Sequence, residues 1–187
     1  MKKNIFLNLL PIRTKRLTIQ RLSLDDVDML LKIDKQELTQ KYLGGIKNKT
    51  KEERTKFLEK RLARMNDDSY CYLTIYLGSI PIGLIDLKIN EYDNNAEISY
   101  IFDLDYCGNG YCTESSQEII SICFNKLNLN RIYASTIEGN ISSKRVLEKL
   151  NFIHEGTRKE AAFVNTLNEY HDFLDYGIIK KDYLKKI

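Results

Sequence analysis

A chain of 187 residues that is 43% hydrophobic and 29% charged has the make-up of an ordinary globular domain, which excludes a disordered or fibrous polymer and a membrane-embedded one. A formal charge of only +3, with Lys and Arg interleaved with Asp and Glu, argues against a nucleic-acid-binding surface. Four cysteines, at 71, 107, 112 and 123, lack CxxC spacing and accompanying histidines, so no metal, no disulfide framework and a cytoplasmic setting are expected.

Residues 1–11 open on Met-Lys-Lys and a short apolar run interrupted by Asn8, without a small-residue cleavage site. They read as a flexible lead-in rather than a signal peptide. The segment Arg13-Thr-Lys-Arg-Leu-Thr-Ile-Gln-Arg-Leu22 reads as the opening strand. Ser23-Leu-Asp-Asp26 has the form of an N-cap with an acidic first turn, ahead of Val27, Leu30 and Leu31 at helical spacing. Thr50-Lys-Glu-Glu53 has capping-box spacing before Phe57, Leu58, Leu62 and Met65. Two helices are therefore expected before the second strand.

Tyr70 to Leu77 and Ile82 to Ile89 are β-rich runs joined by Gly78-Ser-Ile-Pro81, which predicts an antiparallel hairpin. Asp93-Asn-Asn95 turns the chain into a further run, Ala96 to Phe102. Strand–helix units follow, so the fold class is α+β with a mixed sheet, in a single domain over residues 1–187.

The nine residues Asp105-Tyr-Cys-Gly-Asn-Gly-Tyr-Cys-Thr113 are the most informative stretch. They lie between that run and an amphipathic helix carrying Ile119, Ile120, Cys123, Phe124 and Leu127 on one face. Paired glycines let backbone N–H groups converge, and the helix end adds its unpaired donors and positive dipole, which suits a pyrophosphate. After another strand-like run, Arg131 to Ile137, comes Asn140-Ile-Ser-Ser-Lys-Arg-Val-Leu-Glu-Lys-Leu-Asn-Phe152, followed by Ile-His-Glu-Gly156.

Together these two segments resemble the GNAT superfamily of acyl-CoA-dependent N-acyltransferases, in its RimJ/RimL-like branch. Residues 13–22 are similar to that branch's opening strand, Tyr42-Leu-Gly-Gly45 to a loop it often carries, and Glu169-Tyr-His-Asp172 with Tyr176 to its closing strand. The resemblance implies a GNAT fold: a central, mostly antiparallel twisted sheet, splayed between its middle strands and flanked by helices. It also implies acetyl-CoA as cosubstrate.

By the same resemblance, backbone groups of Tyr100, Ile101 and Phe102 pair with the pantetheine arm, while Cys107, Gly108, Asn109, Gly110, Tyr111, Cys112 and Thr113 hold the pyrophosphate. Asn140 is expected to bond the arm. Ser143, beside the thioester sulfur, is the candidate general acid, and Glu97 is the candidate base acting through water. On local grounds alone, Asn140 and Ser143 also suit a helix cap, and Glu97 an ion-paired surface carboxylate.

The chain departs from the branch in several places. Cys107 and Cys112 stand where relatives often carry Gln, Arg or Trp and a small residue respectively. Leu147 occupies the position of a tyrosine acid seen in several relatives, and Ala162 that of a carboxylate sometimes present on the penultimate strand. Cys107 is the alternative nucleophile, by way of an acyl-enzyme. His154 and His171 read as structural, and Tyr70, Tyr72 and Tyr76 as packing residues or the border of an acceptor cleft.

The implied activity is acetyl transfer from acetyl-CoA to a primary amine, foremost a peptide or ribosomal-protein N-terminus, by a monomer or homodimer without nucleic-acid or membrane partners. The alternatives are a small-amine acetyltransferase acting on a polyamine or antibiotic, and a non-catalytic acyl-CoA-binding sensor. An aminoglycoside acceptor would require an acidic cleft, for which Asp34, Glu37, Glu91 and Asp93 are the candidates.

Overall fold

A computed structural model describes residues 2–42, 50–67 and 69–185. Most of the Tyr42–Gly45 loop lies outside the described residues. The first element corrects the expected lead-in: α1 (Lys2–Leu7) is a helix whose Phe6 is wholly buried. Burying a phenylalanine is worth about 1.5–3 kcal/mol, enough to hold a short helix against the sheet that it could not sustain alone.

The expected opening strand is a small hairpin instead, β1 (Ile12–Arg13) and β2 (Leu17–Arg21). The chain reverses at residues 14–16, where the Thr14 amide donates to the Leu17 carbonyl and the Leu17 amide donates to Thr14 Oγ1. Ser23 is the N-cap expected, and with Asp26 it closes a capping box that had not been expected there; α2 (Val27–Asp34) follows after a single 3-10 turn. A short α3 (Glu37–Tyr42) intervenes that the pattern did not announce. The Thr50–Glu53 box then opens α4 (Lys51–Asp67), with each partner's amide donating to the other's side chain.

The hairpin β3 (Tyr70–Leu77) and β4 (Ile80–Asn90) turns at residues 78–79, and a second turn leads into β5 (Asn95–Phe102). Beyond the glycine loop lie α5 (Tyr111–Asn125), β6 (Arg131–Ile137), α6 (Ile141–Lys149), β7 (Ile153–Val164), β8 (Glu169–Ile179) and α7 (Lys180–Leu184). The helix α5 begins two residues ahead of Thr113, because Gly110 serves as its N-cap.

Among the described residues eight strands join one sheet in the order β1-β2-β3-β4-β5-β6-β8-β7, in which β5 and β6 are the sole parallel pair. One face is covered by α2 and α4, whose Val27, Leu30, Ile33 and Leu58 cluster with Leu84 of β4. The other packs Ile85, Ile98, Ile119, Phe124 and Leu147 together with Phe6. Among the described residues no helix is long and apolar enough to cross a membrane.

Candidate active site

The sheet opens where β5 meets β6. Their parallel pairing covers Asn95, Glu97 and the residue between, against Arg131 to Tyr133, and goes no further. From Ile98 to Phe102, β5 continues pairing with β4 alone, which leaves its other edge facing a fork. Backbone groups along such an edge recruit an extended ligand as a strand would. Tyr100, Ile101 and Phe102 line that fork together with Cys107, Cys112, Asn140, Ser143 and Val146. The structure thus brings residues expected at the pantetheine arm and at the loop into one hollow.

The glycine loop closes the fork's far end. Gly108 and Gly110 have φ of +82° and +79°, a conformation that a side chain with a Cβ adopts at a cost. A Cβ on Gly108 would meet nothing within 4 Å, and one on Gly110 only the Arg16 guanidinium, at 3.7 Å. The space above both is open, as a phosphate cradle requires. Among the described residues no side chain caps α5, so its first-turn amides and positive dipole end remain directed at the loop. Arg16, held by Glu114 at 2.6 Å and by the Asn109 carbonyl at 3.0 Å, adds a guanidinium that the loop's own sequence does not contain.

Asp103 anchors the loop from below. Its buried carboxylate receives Gln36 Nε2 at 2.6 Å, Lys32 Nζ at 2.6 Å and the Asp105 amide at 3.1 Å. Burial pushes its pKa up, but these donors outweigh burial and hold it below the ordinary carboxylate value. Cys107 turns its thiol toward the Asp103 carbonyl, and desolvation together with the neighbouring Asp103 charge raises its pKa. Desolvation also raises the Cys112 thiol. Neither environment favours a thiolate, which weighs against Cys107 as a nucleophile.

Across the fork, Asn140 Oδ1 accepts the Ser143 amide at 3.2 Å, so Asn140 is the cap of α6. The Ser143 side chain takes no part in that cap. Its hydroxyl lies 3.1 Å from Tyr100 Oη, which also donates to the Ser143 carbonyl. Desolvation raises the Tyr100 pKa, leaving the phenol protonated at neutral pH. Leu147 faces the core and cannot take part.

Around the splay the trough continues under α4. Cross-strand pairing sets Tyr70, Lys88, Glu97 and Tyr133 in one row and Tyr72, Asp86 and Ser99 in the next. Glu97 therefore stands where the fork opens, lining a cleft with Tyr70, Tyr72 and Asp86. Tyr70 and Tyr72 stack at 5.6 Å, whereas Tyr76 is drawn away to Asp26 at 2.5 Å. Arg61 grips Asp86 with both terminal nitrogens, at 3.0 and 3.2 Å. Burial raises the Asp86 pKa against the opposing pull of Arg61.

The four carboxylates considered for an acidic cleft do not converge. Asp34 is buried against Arg54 at 2.8 Å, Glu91 accepts the Lys2 amide at 2.5 Å, and Asp93 accepts from Asn90 at 2.7 Å. Glu37 begins α3. The sequence reading missed Asp86, Arg16, Asp103 and the phenol of Tyr100. Asp86 alone had a visible signal, a carboxylate within the apolar run Ile82-Gly-Leu-Ile-Asp-Leu87.

Residues 16–153 match the profile of the acetyltransferase (GNAT) domain. The curated relative named "Putative ribosomal N-acetyltransferase YdaF" from Bacillus subtilis (strain 168) is 30% identical over 110 residues, 58% of each chain. The spermidine N(1)-acetyltransferase of Vibrio cholerae serotype O1 is 28% identical over 56% of this chain and 60% of its own. The chain thus spans less than two thirds of their length. Among solved structures, RimL, a ribosomal L7/L12 alpha-N-protein acetyltransferase in complex with coenzyme A, superposes with a TM-score of 0.82 at 20% identity, covering 90% of this chain and 97% of that one. With a family profile matched over most of its length and the splayed sheet, glycine loop and Asn140 turn in place, the chain belongs to the acetyltransferase (GNAT) family.

Proposed function

We propose that this protein transfers the acetyl group of acetyl-CoA to a primary amine, foremost the α-amine of a peptide. The observation that carries the proposal is the β5 edge left open beyond Glu97, where Tyr100, Ile101 and Phe102 border one hollow with Asn140 and Ser143, while Glu97, at the end of the β5–β6 pairing, lines the cleft under α4. The names of YdaF and RimL support a ribosomal-protein terminus, and that of the Vibrio cholerae relative a polyamine. An α-amine, with a pKa of about 7.7–8.0, is roughly a tenth neutral at pH 7, whereas a lysine-like amine near 10.4 is almost wholly charged. A cleft in which Asp86 is paired with Arg61 and Glu97 is half-buried suits the former.

In this reading the fork edge of β5 and Asn140 hold the pantetheine arm, and the loop amides with the α5 terminus hold the pyrophosphate. Glu97 takes a proton from the acceptor ammonium through water. The amine nitrogen then forms the new C–N bond as the C–S bond breaks, the departing thiolate receives a proton from the Tyr100–Ser143 pair, and the second proton released by the nitrogen passes through water to reprotonate that pair. The competing reading, a sensor that binds acyl-CoA without turnover, draws on Leu147 and Ala162 at positions where relatives carry catalytic groups. Release of free CoA, followed with peptides, polyamines and aminoglycosides as acceptors, separates the two. Acceptor-dependent release is expected, and binding of acetyl-CoA with no release for any acceptor would leave the sensor reading standing.

A further inference from the structure

The acceptor cleft is basic. Among the described residues lining it, Lys60, Arg61, Arg64 and Lys88 face two carboxylates, Asp86 and Glu97. Arg61 and Asp86 neutralise each other in their two-pronged pair. Lys60 and Arg64 are exposed on α4, one turn apart, and neither has a carboxylate partner among the described residues. Arg64 and Lys88 both sit over the Tyr70 ring, at 5.0 and 5.4 Å, which holds two positive charges at the rim of the cleft.

A second observation comes from deeper in the trough. Arg54 is 4% exposed and lines the hollow beside Ser99, Tyr100 and Ile101. One terminal nitrogen is paired with Asp34, while among the described residues Nε and Nη1 have no hydrogen-bond partner. Buried guanidinium donors left unmet are costly, and an oxygen acceptor entering the hollow would satisfy them. Rim and floor therefore both call for oxygen acceptors, and the rim calls for negative charge.

We propose that the acceptor is a peptide whose N-terminal residues are acidic, its carboxylates meeting Lys60, Arg64 and Lys88 and a carbonyl or carboxylate oxygen meeting Arg54, while its α-amine lies near Glu97. This rests on the N-acetyltransferase reading and narrows it. A polyamine brings several positive charges into a cleft that already has a cationic excess, and like charges at close quarters discriminate strongly against a partner. The acidic side chains also draw the peptide to the cleft, an effect that salt weakens because the screening length falls to about 10 Å at 0.1 M.

The test compares short peptides that share an N-terminal serine and differ only in whether the next residues are acidic, neutral or basic, with spermidine alongside. The kcat/KM of CoA release is measured for each at low and high salt. The acidic peptide is expected to exceed the neutral one by about tenfold or more at low salt, with the margin shrinking as salt rises. In Lys60→Glu combined with Arg64→Glu, exposed changes checked by melting temperature, the ratio of acidic to neutral should fall toward one. Equal rates for all peptides, a preference for the basic peptide or spermidine, or an unchanged ratio in the double variant would overturn the charge assignment while leaving acetyl transfer intact. No CoA release with any amine, despite acetyl-CoA binding, would overturn the acetyltransferase reading and this inference with it.

Discussion

The phenol of Tyr100 lies 3.1 Å from the Ser143 hydroxyl, bridging β5 to the first turn of α6 at the point where the sheet splays. In the proposed reaction the two hydroxyls together, rather than Ser143 alone, serve as the proton source for the leaving thiolate. Tyr100→Phe and Ser143→Ala are each expected to lower kcat by about tenfold or more with acetyl-CoA affinity retained. Because the two act as one unit, the double variant should be little worse than the poorer single. Asn140, which caps α6, should behave differently: Asn140→Ala is expected to cost about 1 kcal/mol in denaturant unfolding, a loss that Ser143→Ala does not share. Multiplying kinetic losses would show that the hydroxyls act separately.

Gly110 combines an open cradle with a φ of +79°, so a bulky substitution there acts on backbone and ligand together. Gly110→Val should lower both melting temperature and acetyl-CoA affinity, since a β-branched residue is poorly accommodated in the left-handed region. Gly110→Asn isolates the second effect, because asparagine tolerates that conformation. Calorimetry is expected to show weakened binding in a variant that melts near the parent. Parental affinity in folded Gly110→Asn would remove the loop from the phosphate site.

Glu97 stands in the cross-strand row with Lys88 and Tyr133 at the fork's mouth. If it relays a proton from the acceptor ammonium, kcat/KM of Glu97→Gln should fall most near neutral pH. The rate should recover as pH approaches the acceptor's own pKa, where the amine is already neutral. A pH–rate profile with a peptide acceptor checks this. A loss of the same size at every pH would assign Glu97 to positioning instead.

Asp103 ties the loop to Lys32 on α2 and to Gln36 just beyond that helix. Since its folded-state pKa lies below the ordinary value, the carboxylate stabilises the fold above about pH 4, and that contribution is lost as pH falls through the folded value. Asp103→Asn should therefore cost about 1–3 kcal/mol at neutral pH in denaturant unfolding, and progressively less below about pH 4. A penalty that does not change with pH would place the effect in the hydrogen bonds alone.

Local patterns determined much of this molecule. The capping boxes at Ser23 and Thr50, the β3–β4 hairpin, the glycine loop and the Asn140 turn are each written in consecutive residues, because turn chemistry and periodicity act over a few positions. The glycine loop and the Asn140 turn carried the resemblance to the family and the stretch proposed to hold the cosubstrate. What consecutive residues could not disclose are relationships between distant ones. Phe6 turns an apparent lead-in into a packed helix only because the sheet offers a surface to bury it. Arg16 reaches the loop through Glu114, and Tyr100 finds Ser143 across the fork, over separations set by strand order. The charge of the cleft under α4 is likewise a tertiary property: a chain with a nearly balanced formal charge acquires a basic cleft when α4 lays Lys60 and Arg64 beside Lys88, while Asp34, Glu91 and Asp93 are drawn into partners elsewhere.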